Sequence, residues 1–299
     1  MPEFANRNSA KEIRPASIYV ALVLFSATSI LFFFCLYVIL PLLKEAGVSW
    51  FLSYNIVLVL PMALLLIAAF IGYRAEGLPY SWPLIRQRFR LQPMKASAWL
   101  WAVALSIFMY GGKFSIMIAF AFGICAGVVE GRNNQRDLWG SVSGLTFFLI
   151  ISWGIWQTEP FLGGIILHSK PGSLLEFMQH FGPTDFMGIP LSGQWWLIVY
   201  YIIILLVFNI AGEELWWRGY ILPRQELANG NMAWLIHGLM WAAFHLFLQS
   251  TLYDLVRMVP TSCALAYVAQ RSGNTWPGII GHTFGNSPLL LQIIRGVLL

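Results

Sequence analysis

Eight long apolar runs, separated by shorter polar stretches, organise the chain: Ser17–Leu43, Phe51–Tyr73, Ala98–Glu130, Leu138–Trp156, Gln194–Gly212, Met232–Leu252, Leu255–Gln270 and Thr275–Leu298. A helix needs about 20 apolar residues to cross a bilayer, where backbone polar groups must be satisfied internally. The pattern predicts an all-α fold, a polytopic membrane helix bundle of about eight transmembrane helices forming one membrane domain. Pro41, Pro61 and Pro277 fall at or inside the ends of runs, where they start or kink helices and are better tolerated than in a soluble interior. There is no internal repeat, no glycine-rich nucleotide loop and no low-complexity stretch.

Composition narrows the class. Of 299 residues, 58% are hydrophobic and 10% charged, against about 25% charged in a soluble protein, and the mean hydropathy is +0.69. Nucleic-acid binders, disordered tails and disulfide-stapled secreted folds do not have this composition. The net charge of +5 therefore reads as topology, since Lys and Arg mark loops on the cytoplasmic side, and not as affinity for nucleic acid. Cys35, Cys125 and Cys263 each sit inside an apolar run and read as small buried core residues; no metal cluster or disulfide framework is spelled out. The first apolar run exceeds the ~7–15 residues of a signal-peptide core and is expected to stay as a membrane anchor.

Charge along the chain sets an expected orientation. The tail 1–16 carries Arg7, Lys11 and Arg14, and the loop Arg74–Ser97 carries Arg74, Arg86, Arg88, Arg90 and Lys95 against Glu76. Both are expected in the cytoplasm, as is the stretch after Gly212 with Arg218 and Arg224. The connection Gln157–Gly193, with Lys170 beside Glu159, Glu176 and Asp185, is expected outside. Passing from inside at Ser97 to outside at Gln157 requires an odd number of crossings, yet only two runs lie between them. Either Ala98–Glu130 splits at Gly111-Gly112-Lys113 into two crossings of about 22–25 Å, or one segment is re-entrant or interfacial. The organisation is then a tail (1–16), a first set of helices and loops (17–193) and a second set (194–299).

Charged side chains at mid-bilayer cost about 2.5–3.5 kcal/mol on insertion scales, so acids and histidines inside spans are candidate functional groups. Three sets stand out: Asn209 to Arg218 with the pair Glu213-Glu214, Trp241 to His245, and His282 to Asn286. Glu214 and Arg218 are four apart on one helix face in the favourable acid-before-base order and can pair. Glu213 points about 100° away with no sequence-local cation, while Asn209, four residues earlier, could hydrogen-bond it. A carboxylate kept from water and from cations suits general acid–base chemistry. The plainer alternative puts both acids at a helix end among lipid headgroups. His245 and, two turns back on roughly the same face, His237 could equally be interhelical hydrogen-bonders. His282 and Asn286 can project two donors to one place, as a developing oxyanion requires, or can act as glue between helices.

Glu-Glu-x-x-x-Arg, an aromatic-x-x-x-His in the next span and His-x-x-x-Asn in the last resemble the signature of the CPBP family of intramembrane proteases (CAAX protease and bacteriocin-processing, or Abi), related to the type II CAAX prenyl endopeptidase. Asn209 through Glu226 and Arg271 through Pro277 are also similar to bacterial members, and the resemblance spans roughly Gln194–Leu299. Trp241 stands where Phe is common in the family. The resemblance implies a CPBP-like catalytic core at 194–299, with a conical cavity in the cell membrane opening to the cytoplasm. Cleavage would fall near the carboxyl end of a membrane-associated peptide or protein substrate. It makes Glu213 and His245 the groups that activate water, His282 with Asn286 the oxyanion pair, and Glu214 with Arg218 the brace. On this reading no cofactor or metal is needed, and Ser287, which has no identified base, is a minor option as nucleophile. A zinc hydrolase using Glu213, His245 and His282 is a rival, weakened by the lack of a His-Glu-x-x-His helix. A non-catalytic peptide-binding or immunity-type protein is a second rival, and a transporter a third, disfavoured without a repeat.

Overall fold

A computed structural model describes residues 13–111, 113–133, 135–167 and 179–299. Arg7, Lys11, Gly112, Lys170 and Glu176 of the sequence reading lie outside the described residues. The fold is a polytopic membrane helix bundle. Its helices are α1 (Ile18–Glu45), α2 (Trp50–Ala75), the short α3 (Trp82–Arg88), α4 (Ala96–Tyr110), α5 (Lys113–Glu130) and α6 (Gln135–Trp156). Helix α7 follows as a run of Trp195–Ile203, Ile204–Ala211, Glu214–Ile221 and Leu222–Asn229. The chain closes with α8 (Ala233–Phe244), α9 (Leu252–Ser272) and α10 (Trp276–Leu298). A two-residue hairpin, β1 (Asp185–Phe186) with β2 (Ile189–Pro190), precedes α7. Four stretches, α1, α2, α6 and the continuous run Trp195–Phe247, are long and apolar enough to cross a membrane.

Prolines shape the long helices. A π-helical turn covers Cys35–Ile39 before Pro41, Asn55–Val59 before Pro61, and Glu214–Ile221 before Pro223. In each case the carbonyl four residues before the proline, on Tyr37, Val57 or Gly219, lies in the widened turn. Proline has no N–H to donate to that carbonyl and its ring crowds it, so the helix opens to relieve the clash. The π turns of Ile204–Ala211 have no proline; they end at Gly212, where a Cβ would come within 2.8 Å of the Met62 carbonyl, so α7 lies directly on α2.

Between Ser97 and Gln157 the chain makes three helical passes, an odd number. Helices α4 and α5 divide at residues 111–113, and the pair is an antiparallel hairpin: Trp101 near the start of α4 donates to Glu130 at the end of α5 (2.8 Å). Among the described residues the run Ala98–Glu130 is thus two helices. Among the described residues, the start of α1, the loop Arg74–Ser97, the end of α7 and the start of α10 meet at one end. Ala16 donates to the Arg224 carbonyl, Arg88 ion-pairs with Glu76 (2.6 Å), Arg90 with Glu226 (2.6 Å), and Thr275 donates to the Arg90 carbonyl. Arg271 at the end of α9 bridges Glu130 and Asp137 there as well. The opposite end carries the hairpin, and Gln292 of α10 donates to the Phe181 and Gly182 carbonyls.

Among the described residues two large apolar clusters fill the bundle, one toward each end, with a small third around Leu222, Ala233, Ala266 and Ala269. The basic-end cluster is centred on Trp101, Trp217, Trp241 and Leu265; the other holds Leu36, Leu40, Val57, Phe186, Leu205 and Ile293. Along α7 the change of cluster falls between Ile210 and Leu215, and Leu58, Leu248 and Ile279 touch both clusters. Glu213 and Glu214 occupy that seam. Cys35 and Cys263 are buried as expected, but Cys125 is exposed on α5, on the face opposite the packed Gly123, Ala126 and Gly127: an apolar run on a one-sided helix has an outer face as well as a core face.

Candidate functional site

The acids are not at a helix end. Helix α7 continues past Gly212 to Asn229, so Glu213 and Glu214 are mid-helix and are 2% and 0% exposed. The headgroup alternative assumed that an apolar run and its helix stop together. Here the helix runs on because its polar turn is enclosed by α2, α8 and α10 rather than by water. Glu213 stands six residues from Gly219, which is held at the basic end by Arg88 (2.9 Å).

The two neighbouring acids have different partners. Glu214 Oε1 accepts from Arg218 Nη1 (3.1 Å) and meets His282 Nδ1 (2.9 Å). A glycine at 278 makes room for it: a Cβ there would lie 2.6 Å from Glu214 Oε2. Glu213, among the described residues, forms no ion pair; its Oε2 accepts from the Trp241 indole N–H at 3.0 Å. The expected bond from Asn209 to Glu213 is not formed. Asn209 instead accepts from Asn286 Nδ2 (2.9 Å) across the gap to α10.

His245 closes α8 rather than lying within it. Its backbone N–H reaches the Ala242 carbonyl, tightening the last turn into the 3₁₀ segment His245–Phe247, and its ring Nδ1 donates to the Trp241 carbonyl (2.7 Å). That bond leaves Nε2 as the ring's free acceptor. His282 engages Glu214 through Nδ1, so its Nε2 is the ring atom that faces away from the Glu214–Arg218 pair. Trp241 stands among these groups: its ring is 4.4 Å centroid to centroid from His245 and 5.7 Å from His282, with the Arg218 guanidinium 4.2 Å over it.

The structure thus brings Glu213, His245 and His282 around one indole, with Glu214 and Arg218 behind them and the half-buried Asn209–Asn286 pair alongside. His237 is elsewhere: fully buried, it contacts Gln225 (2.5 Å) and the edge of Phe25, tying α8 to α7 and α1. Ser287 donates to the Phe284 carbonyl. Sequence reasoning missed Trp241 as a hydrogen-bond donor and Gln225 as the partner of His237; the four-residue spacing of Trp241 and His245 was the available signal. The constellation offers a carboxylate without a cation, an imidazole acceptor and amide and imidazole donors, the parts of a water-activating hydrolytic site. Among the described residues no three His, Cys, Asp or Glu side chains converge as metal ligands.

Residues 194–287, the stretch that carries the constellation, match the family described as type II CAAX prenyl endopeptidase Rce1-like. No curated protein and no solved structure matches the chain. The family is one of membrane endopeptidases, so the match supports a peptide hydrolase resident in a membrane.

Proposed function

We propose that this chain is an intramembrane endopeptidase that hydrolyses a peptide bond near the carboxyl end of a membrane-associated substrate. Glu213 and His245 activate the water. Oε2 of Glu213 is engaged by Trp241, and Oε1 takes one proton of the water while His245 Nε2 accepts a hydrogen bond from the other. The water oxygen attacks the scissile carbonyl; His282 and the second N–H of the Asn286 amide donate to the oxyanion; the protonated Glu213 then returns its proton to the leaving amine. Every proton taken from water is thus delivered within the site, and no acyl-enzyme forms. The observation that carries this reading is the contrast at 213 and 214: adjacent buried acids, one balanced by Arg218 and bonded to His282, the other held only by a neutral donor.

The basic loops and the position of the site, six residues along α7 from Gly219, support a multi-pass protein of the cell membrane with its basic end, and the access to the site, on the cytoplasmic side. The test is cleavage of an internally quenched, prenylated CAAX peptide by the full-length protein in lipid vesicles. Glu213→Gln is expected to abolish cleavage while retaining the bound peptide. Cleavage that survives in Glu213→Gln overturns the proposal. Loss of activity in excess chelator, restored by zinc, would replace the glutamate mechanism with a metal one.

A further inference from the structure

We propose that Trp241 is a positioning residue for hydrolysis, setting the relative geometry of the two groups that hold the water; this rests on the hydrolase reading above. Two separate bonds make the assignment. The indole Nε1–H donates to Glu213 Oε2 at 3.0 Å, and the main-chain carbonyl of the same residue accepts from His245 Nδ1 at 2.7 Å. Glu213 is on α7 and His245 at the end of α8, so one residue links a side chain on each helix.

The local structure explains why the carbonyl is free for this. In a continuing α-helix the Trp241 carbonyl would take the His245 amide, but that amide bonds to Ala242 as the turn tightens. The carbonyl that the helix end leaves without its usual partner is the one the imidazole uses. It fixes the tautomer: Nδ1 carries the proton and Nε2 the lone pair. The ring has little freedom to turn, because it is 1% exposed, the Arg218 guanidinium lies over it and the rings of His245 and His282 meet it nearly perpendicularly. A locked ring aims its N–H in one direction, and the Glu213 carboxylate takes the conformation that accepts it. Packing alone would require an aromatic ring at 241 but not a donor, so the two roles separate on the N–H.

The experiment replaces Trp241 with β-(3-benzothienyl)alanine, which keeps the shape of the indole and lacks the N–H, alongside Trp241→Phe. Cleavage of the quenched prenylated CAAX peptide is measured with thermal melting of the same samples. The expected result is a kcat reduced about 10- to 100-fold, with KM within about twofold and the melting temperature of the benzothienyl protein unchanged. An unaltered kcat in the benzothienyl protein, or a loss that follows melting temperature alone, overturns the proposal. A second readout does not need turnover: the Trp241 indole N–H resonance in nitrogen-15-labelled protein is expected to shift on Glu213→Gln. If the wild type fails to cleave the peptide, the hydrolase reading is in difficulty; if the resonance ignores Glu213→Gln, the positioning bond itself is refuted.

Discussion

Helix α7 carries charge in two places, and the two are arranged on opposite principles. At the basic end, Arg88 holds Glu76 with both its Nε and Nη2 and donates to the Gly219 and Tyr220 carbonyls. Arg224 lies 3.5 Å from the same acid, and Tyr220 is flanked by the guanidinium groups of Arg88 and Arg224. There each acid has a cation, and each cation has further oxygens or a ring to meet. Deeper along α7, Glu214 follows the same rule with Arg218, but Glu213 does not. Complete charge balance ties helices together. A carboxylate left out of that balance is available for chemistry, at an energetic cost that the balanced groups around it help to offset.

The sharpest way to break the comparison is to exchange the roles. Glu213→Gln, which keeps shape and removes the proposed base, is expected to lower turnover by about 10²- to 10⁴-fold without lowering the melting temperature. Glu214→Ala strands Arg218 in the interior and is expected to destabilise the protein by about 3–5 kcal/mol. Parallel peptide-cleavage and thermal-melting measurements decide it; a melting loss on Glu213→Gln equal to that of Glu214→Ala would remove the distinction.

At the basic end the expectation reverses. Arg88→Ala leaves Glu76 buried and two α7 carbonyls without their side-chain donor, so stability falls by about 3–5 kcal/mol. The kcat of the molecules that remain folded is expected to stay within about twofold, since Arg88 bonds to Glu76, Gly219 and Tyr220 and not to Glu213. Active-site titration of the folded fraction checks this, and a kcat loss well beyond twofold would mean that the basic-end cluster shapes the chemistry directly.

A smaller effect is expected where an amide, not a charge, is held. Asn209 fixes Asn286 through one bond between half-buried groups. Asn209→Ala should reduce kcat about 10-fold and change stability by no more than about 1 kcal/mol. If kcat is unaffected while Asn286→Ala is inactive, Asn286 does not need its neighbour.

How much of this could be read from the chain follows from the range of each interaction. The Glu214–Arg218 pair was legible because it lies within one helical turn, where spacing alone decides proximity. The Asn209–Glu213 bond has the same spacing and is absent, because partners from other helices take both groups: Asn286 of α10 donates to Asn209 and Trp241 of α8 to Glu213. The division of Ala98–Glu130 was legible as a parity argument about charge, with Gly111 and Gly112 as the natural break. The indole bond from Trp241 to Glu213, and the enclosure that keeps the acids away from the headgroups, are contacts between helices 28 residues apart. No local pattern encodes which atom of an aromatic side chain will point at which acid.

The mildest test concerns the outermost pair. Arg90 and Glu226 make two short bonds (2.7 and 2.6 Å), yet their side chains are 24% and 20% exposed. Water screens such a pair and both partners are readily rehydrated when it breaks, so Arg90→Met is expected to cost about 0.5–1 kcal/mol. Raising the salt concentration should weaken the wild type slightly and the variant less. If charge balance on α7 matters in proportion to burial, the loss must fall from Glu214–Arg218 through Glu76–Arg88 to this pair, in the order in which water reaches them. A variant at Arg90 as damaging as one at Arg88 would show that hydrogen-bond geometry, not removal from water, sets what these ion pairs contribute.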